Sequence, residues 1–322
     1  MFRKRSFVLL ACSFMLSAAC GSEDPGDGID PNDPFPPPAQ GEGYQIEMSA
    51  TAPAGTEIYK CVVDRLPNDD WMFVNHVASL QTEGMHHMDV MILGFAGIEL
   101  EPGTYECADL YAEYPDLMDG LIIYAAQDAE QEITMPEGIA ANLPPNLLMM
   151  HEIHYVNTSD QPVEAFSRIN IYDYDPFLVT DTIWGNVVRD LDLNIPAQAS
   201  THQEWTRCVM TDPIDLIFLS SHTHELATSL TVRSFDGNAP GDQIYENRNW
   251  ESPFLKSFGE TAMHIPAGEG FEFTCNFTNP SEDVVTWGLS ARDEMCQIAF
   301  VFSPGEAKRK CNVVETSDGL GL

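Results

Sequence analysis

"GFEFTCNFT", residues 270–278, decides the fold class. Phe271, Phe273, Cys275 and Phe277 alternate with Glu272, Thr274 and Asn276, the two-residue period of a strand with one face in a core and the other toward water. "SRINIYDYD" (167–175) repeats the pattern, with Ile169 and Ile171 set against Arg168 and Asn170. "HMDVMILGF", "LLMMHEIHYV", "DLIFLSSHTH", "SLTVRSF" and "QIAFVFSP" are further short apolar runs separated by Pro, Gly, Asn and Asp, and few stretches carry a helical period. The chain is therefore expected to be all-β, as two tandem antiparallel β-sandwich domains of the jelly-roll kind. A Pro-marked break in "YDYDPFLVTD" sets their boundary near Asp175, giving domains over 45–174 and 175–314 and a short tail over 315–322.

Ahead of the first strand, "MFRKRSFVLLACSFMLSAAC" has a basic start (Arg3, Lys4, Arg5), a short apolar run and small residues before Cys20, the grammar of a secretory signal. The run is too short to span a bilayer. Its end, "LSAAC", resembles the lipobox of bacterial lipoproteins, which implies a signal peptide over 1–19, lipid on Cys20 and, with Gly21 next, the outer membrane. Plain secretion, to the periplasm or beyond, is the other reading of the same segment. Residues 20–44, "CGSEDPGDGIDPNDPFPPPAQGEGY", offer little to bury and are expected to form a disordered tether.

Formal net charge is −35. Without the three basic residues of the signal, 12 Lys and Arg face 50 Asp and Glu, a net −38. Nucleic acid is a poor partner for such a surface, and the only membrane association expected is through the N-terminal lipid. Six cysteines remain after Cys12 leaves with the signal and Cys20 takes lipid: Cys61, Cys107, Cys208, Cys275, Cys296 and Cys311. An even number in an exported chain points to three disulfides, with 15 possible connectivities.

Histidines carry the chemistry. In "SSHTHELA", His222 and His224 stand two apart, so a strand sets both imidazoles on one face within reach of one metal ion. In "DEMCQIAFVF", Cys296, Ile298, Phe300 and Phe302 share the buried parity, so Met295 points the other way with Gln297 and Ala299. A Cys275–Cys296 bridge inside the sandwich would fix Met295 on that side. A thioether beside two imidazoles selects copper, Cu(I) especially; ordinary core packing is the alternative use of a methionine. "MHHMDVMIL" (85–93) poses a different problem, because His86 and His87 are neighbours and should face opposite ways. They can share a metal only where the strand twists or ends, with a third ligand, for which His154 of "HEIHYVN" is the candidate. His151 lies on the opposite face and reads as structural or supporting. "HEIH" is one residue short of the helical zinc-protease motif.

In their order and span, "HHM" (86–88), "HY" (154–155), "HTH" (222–224) and "DEMC" (293–296) resemble the copper type II ascorbate-dependent monooxygenases, the group of peptidylglycine α-hydroxylating monooxygenase and dopamine β-monooxygenase, over about residues 45–312. The resemblance implies two jelly-roll domains facing across a solvent-filled cleft, each with one copper, so two ions per chain. His86, His87 and His154 would hold the electron-donating copper. His222, His224 and Met295 would hold the copper at which dioxygen binds and a small-molecule substrate is hydroxylated, with ascorbate or a similar external reductant. It also implies the pairs Cys61–Cys107, Cys208–Cys311 and Cys275–Cys296. Where the peptide-hydroxylating branch has a carboxylate-binding Arg, this chain has Ser220, and the Asn and Tyr after "DEMC" are Gln297 and Ala299, which argues against C-terminal glycine peptides as substrates. A non-catalytic copper-binding or buffering envelope lipoprotein is the reading of a different class.

Overall fold

The computed structural model describes residues 33–319 except 94–97, 99, 116, 118–120, 260 and 307. The signal segment 1–19, the lipidation residue Cys20 and the tether up to residue 32 lie outside the described residues. From Pro37 onward the chain is one compact unit, almost entirely antiparallel β-sheet, with a single α-helix, Cys107–Glu113, among the described residues.

The N-terminal half contains two sheets. Gly43–Ala52, Val163–Asp173, Met72–Gln81 and Ile139–Leu143 pair in that order. Gly103–Glu106, Glu57–Arg65, Leu148–Val156, Met85–Ile92 and Leu121–Ala126 form the second. Met48, Ile169 and Ile171 of the first pack with Met88, Val90 and Ile153 of the second in one buried cluster. The opposite side of the second sheet carries Cys61, Val63, Met91 and Met150 and is covered by Leu110 and Tyr111 of the helix. This sheet is apolar on both faces, which is why "LLMMHEIHYV" reads as a continuous run rather than an alternation.

The C-terminal half repeats the plan. Trp184–Arg189, Cys296–Ser303, Ile214–Thr223 and Lys256–Ser257 make one sheet; Pro240–Asn247, Ala227–Phe235, Gly270–Asn279, Ala199–Met210 and Cys311–Thr316 make the other. Phe271, Phe273 and Phe277 meet Ile298, Phe300 and Phe302 in a shared core, so the parity read in both segments matches the burial. All three expected disulfides are formed: Cys61–Cys107, Cys208–Cys311 and Cys275–Cys296. The last joins Gly270–Asn279 to Cys296–Ser303, two strands of different sheets.

Two boundaries differ from the expected ones. The last strand runs to Thr316, paired with Thr206, which shortens the tail. Beyond Asp175 the chain does not leave the first half at once: Asp181–Thr182 pairs in parallel with Ile139–Leu143, and Ile183 and Phe218 pack with Ile133 and Ile139. The halves therefore share a backbone ladder and an apolar seam.

Closing a loop of this size by a disulfide contributes about 3 kcal/mol. The double replacement Cys275→Ala with Cys296→Ala is expected to lower unfolding free energy by about that amount, measured from the denaturant midpoint. A change within about 0.5 kcal/mol would show that the bridge does not constrain the chain.

Candidate metal centre

A β-bulge resolves the paired histidines. Along Met85–Ile92, Met85 faces Tyr155 and His87 faces His154, so two steps on one strand match one step on its neighbour. The extra residue is His86. A bulge of this kind bends the strand and re-aims a side chain, and both imidazoles come to lie on the same side, with ring centroids 5.1 Å apart. Beyond the bulge, alternation is strict: Met88, Val90 and Ile92 enter the core, while Asp89 faces Glu152 and Met91 faces Met150. His154 lies directly across from His87 on one side and Tyr59 on the other. His151 points away, with Nε2 3.1 Å from Ser167 Oγ, and takes no part in the site.

The second histidine pair arrives from the other half. His222 ends Ile214–Thr223 opposite Gln297, and Thr223 lies opposite the bridged Cys296. His224 follows the strand and is held twice. Its backbone N–H donates to Glu294 Oε1 at 2.5 Å, and its Nδ1 lies 2.9 Å from the Asp293 carbonyl oxygen. A carbonyl only accepts, so Nδ1 carries the proton and Nε2 has the free lone pair. Glu294 also accepts from the N–H groups of Leu226 and Met295, tying the methionine to the histidine turn. Gly288 opposes Asp293 so closely that a Cβ there would collide with its carboxylate.

Two separate triads across a solvent-filled cleft are what the resemblance implies; the structure gives one nest. The His86 ring centroid is 4.8 Å from His154 and 4.8 Å from His224, and 5.4 Å from His222. His87 is 5.4 Å from His222. One set of three possible ligand atoms, all within 4.8 Å of one another, joins His86 and His87 to His222 and so crosses between halves. The physical reason is the seam described above, which holds the two halves together beside the nest. Met295 is buried and lines the same cavity as His87 and His222, together with Gln297 and Ala299, the side its parity indicates.

All five imidazoles are held neutral. Burial pushes the His86 ring far below its usual value, and neighbouring rings add to this. Burial also lowers His87, His154 and His222, and lowers His224 to about 4. Four buried ring nitrogens here have no hydrogen-bond partner: His86 Nε2, His87 Nδ1, His222 Nε2 and His224 Nε2. Asp89 Oδ2 is 3.1 Å from His87 Nδ1 but out of line for a bond. Leaving a buried polar atom unpaired costs about 1–3 kcal/mol. Converging, unprotonated imidazoles with unpaired lone pairs, beside a buried thioether, are a donor set that fits copper.

Several residues escaped the sequence reading. Asp89 and Glu152 face each other across two strands; Glu152 accepts from Tyr111 at 2.6 Å and Tyr59 at 3.1 Å. Burial raises Glu152 to about 8 and Asp89 to about 6. Their signal was present: Asp89 stands two after His87, and Glu152 two before His154, hence on the same faces as the ligands. Glu57 and Gln127 had no local signal, because both act across long separations.

A cavity of about 210 Å³ runs beside the nest between the two halves. Tyr124, Ile133, Val187 and Phe300 give it apolar walls, and Ser220, Gln297 and Arg189 line its C-terminal side.

Residues 183–317 match the family described as copper type II ascorbate-dependent monooxygenase, C-terminal domain. The match covers the C-terminal half of the chain alone and supports the resemblance seen in the motifs. No curated protein matches the chain. Among solved structures it is similar to PNGase F, a glycosylasparaginase from Flavobacterium meningosepticum, at 9% identity over 81% of this chain and 89% of that one, with a TM-score of 0.24. Vicilin from Corylus avellana (hazelnut) shows 7% identity over 85% and 84%, with a TM-score of 0.22. Scores this low carry no argument.

Imidazoles lowered in the folded state favour it above their unfolded value, near 6.5, and that support is lost as pH falls. Six histidines, counting His151 at about 3, are lowered in this way. Asp89, Glu152, Asp190, Glu294 and Asp318 are raised and work in the opposite sense. The six histidines, with the lowered carboxylate of Glu57 on their side, outweigh these five, so the metal-free chain is expected to lose thermal stability steadily from about pH 6.5 toward pH 4. Melting curves across this range check it; a flat or rising profile would contradict a neutral nest.

Proposed function

We propose that this protein is a copper-dependent monooxygenase that hydroxylates an unactivated C–H bond of a small molecule, using O2 and an external one-electron reductant such as ascorbate. The observation that carries the reading is the convergence of five histidines with lowered pKa, four of them with an unpaired buried ring nitrogen, beside a cavity that His87 and His222 share with Met295. The family match of the C-terminal half supports the same chemistry. His86, His87 and His154 would hold one copper, and His222, His224 and Met295 a second.

Bound copper supplies the one-electron chemistry that activates dioxygen. The chain's own residues do the rest. The Asp293 carbonyl and Glu294 carboxylate orient His224 and keep its Nε2 lone pair inward. Tyr59 and Tyr111 hold Glu152 in place near His87. The largely apolar cavity takes the substrate body and sheds water on binding, which strengthens every electrostatic contact inside. Ser220 stands on its wall where the peptide-hydroxylating branch carries an Arg, and the cation on that side is Arg189 instead, in keeping with a substrate bound otherwise than a C-terminal glycine peptide. Lipid on Cys20 would anchor the protein to the bacterial outer membrane, and three disulfides suit that oxidising location.

The test uses the disulfide-intact chain loaded with copper and supplied with ascorbate and a panel of small amines, aromatics and amides. Oxygen uptake with hydroxylated product is the expected result, and Met295→Ile should reduce it by more than about 100-fold while copper stays on the remaining histidines. Stoichiometric copper without any turnover would favour a copper-buffering lipoprotein. Failure to bind copper would remove the metal reading altogether.

A further inference from the structure

We infer that contacts between the two halves orient the metal-binding imidazoles of both: Gln127 of the N-terminal half orients His222 of the C-terminal half, and the C-terminal loop at Ser290 and Ala291 holds Glu57, which orients His154 in its own half. The inference rests on the copper reading above and adds two positioning residues to it.

Gln127 belongs to the N-terminal half, just after Leu121–Ala126. Its Nε2 donates to the Trp250 carbonyl at 3.1 Å, in a loop of the C-terminal half. A carbonyl cannot donate, so the amide nitrogen must lie at that end, and Oε1 is directed at His222 Nδ1, 2.9 Å away. An amide oxygen only accepts, so His222 Nδ1 carries the proton. The lone pair is then on Nε2, a buried atom with no partner in the protein. Without this acceptor, nothing here would keep the proton off the nitrogen that faces the nest.

Glu57 opens the strand Glu57–Arg65 and works through the opposite half. Its Oε1 is 2.6 Å from His154 Nε2 and 2.8 Å from the Ala291 N–H, and its Oε2 accepts from Ser290 Oγ at 3.2 Å. The carboxylate fixes the proton on His154 Nε2 and leaves Nδ1 facing His87, 3.3 Å from its Nε2. Ser290 and Ala291 stand in the same loop as Asp293, which orients His224, and Met295. The side chain that sets one ligand of the first half is thus held by the loop that carries two groups of the second. Neither arrangement exists in a half taken alone. Docking of the halves and readiness of the ligands are one event, and copper binding draws on both.

The experiment titrates copper(II) chloride into the full, disulfide-intact chain against a competing chelator and records the electron paramagnetic resonance spectrum of the bound ion. Gln127→Leu removes the acceptor. Gln127→Glu keeps an acceptor for His222 but gives up the amide donor to Trp250. Gln127→Leu is expected to weaken copper binding about 10–100-fold and to change the hyperfine pattern, whereas Gln127→Glu stays close to the parent. If the two variants behave alike, whether both unchanged or both equally weakened, the inference fails, the second case assigning Gln127 to loop packing alone. Glu57→Ala and Glu57→Gln give an independent pair, since the amide oxygen of the latter still accepts from His154 and Ala291; a loss confined to Glu57→Ala is expected, and equal behaviour overturns the role. Circular dichroism confirms that the compared variants are folded, and the Glu57 pair decides should Gln127→Leu not fold. A parent chain that binds no copper overturns the functional reading, whereas one that binds copper and turns over, with Gln127→Leu at full affinity, overturns only this inference.

Discussion

Removing imidazoles from water sets the terms for the rest of the structure. A buried ring is far cheaper to keep neutral than charged, and bringing five together makes each proton on one ring a penalty for the others. The bulge at His86, the acceptors on His154, His222 and His224, and the close contact between halves all serve a nest that excludes protons. The neighbouring acids obey the same rule. Asp89 and Glu152, set opposite one another away from solvent, are both raised above the ordinary carboxylate range. A protein of net charge −35 thus keeps its most reactive region poor in charge and carries its acidity elsewhere, where it serves solubility.

Much of this was legible in the residues, and what was legible followed from period. Alternation in "GFEFTCNFT" and "QIAFVFSP" gave the strands, their buried faces and the side to which Met295 turns, because a strand has only two faces. The same rule separated His151 from His154 and the family resemblance supplied the disulfide pairs. What period could not give was the position of the bulge, since an inserted residue leaves no local composition mark. It could not give register between distant segments either. Glu57 reaches Ala291 across 234 positions and Gln127 reaches His222 across 95, and nothing near either residue announces its partner. The resemblance, in turn, carried the expectation of two triads facing each other across a cleft, one in each half, while the packing of Ile183 and Phe218 on Ile133 and Ile139 brings the rings into one group.

Each half contributes an incomplete set. The N-terminal half offers three imidazoles on one sheet, and the C-terminal half one imidazole near a strand end, with a second imidazole and a thioether in the adjoining loops. The contact between them combines the polar nest with the apolar seam of Ile183 and Phe218 on Ile133 and Ile139. Stability of the contact and geometry of the ligands therefore come from different parts of one surface, so a substitution in the apolar seam can disturb the metal centre without touching a ligand.

The parallel pairing of Asp181–Thr182 with Ile139–Leu143 bears on the chamber. Thr180 N–H donates to the Gly138 carbonyl and Ile183 N–H to that of Ala140, so the crossover from one half to the next is stitched into a sheet instead of swinging free. A rigid crossover cannot act as a hinge. Pro253 and Leu255 form part of the chamber wall, so a crossover held in register fixes the two sides of the chamber against each other.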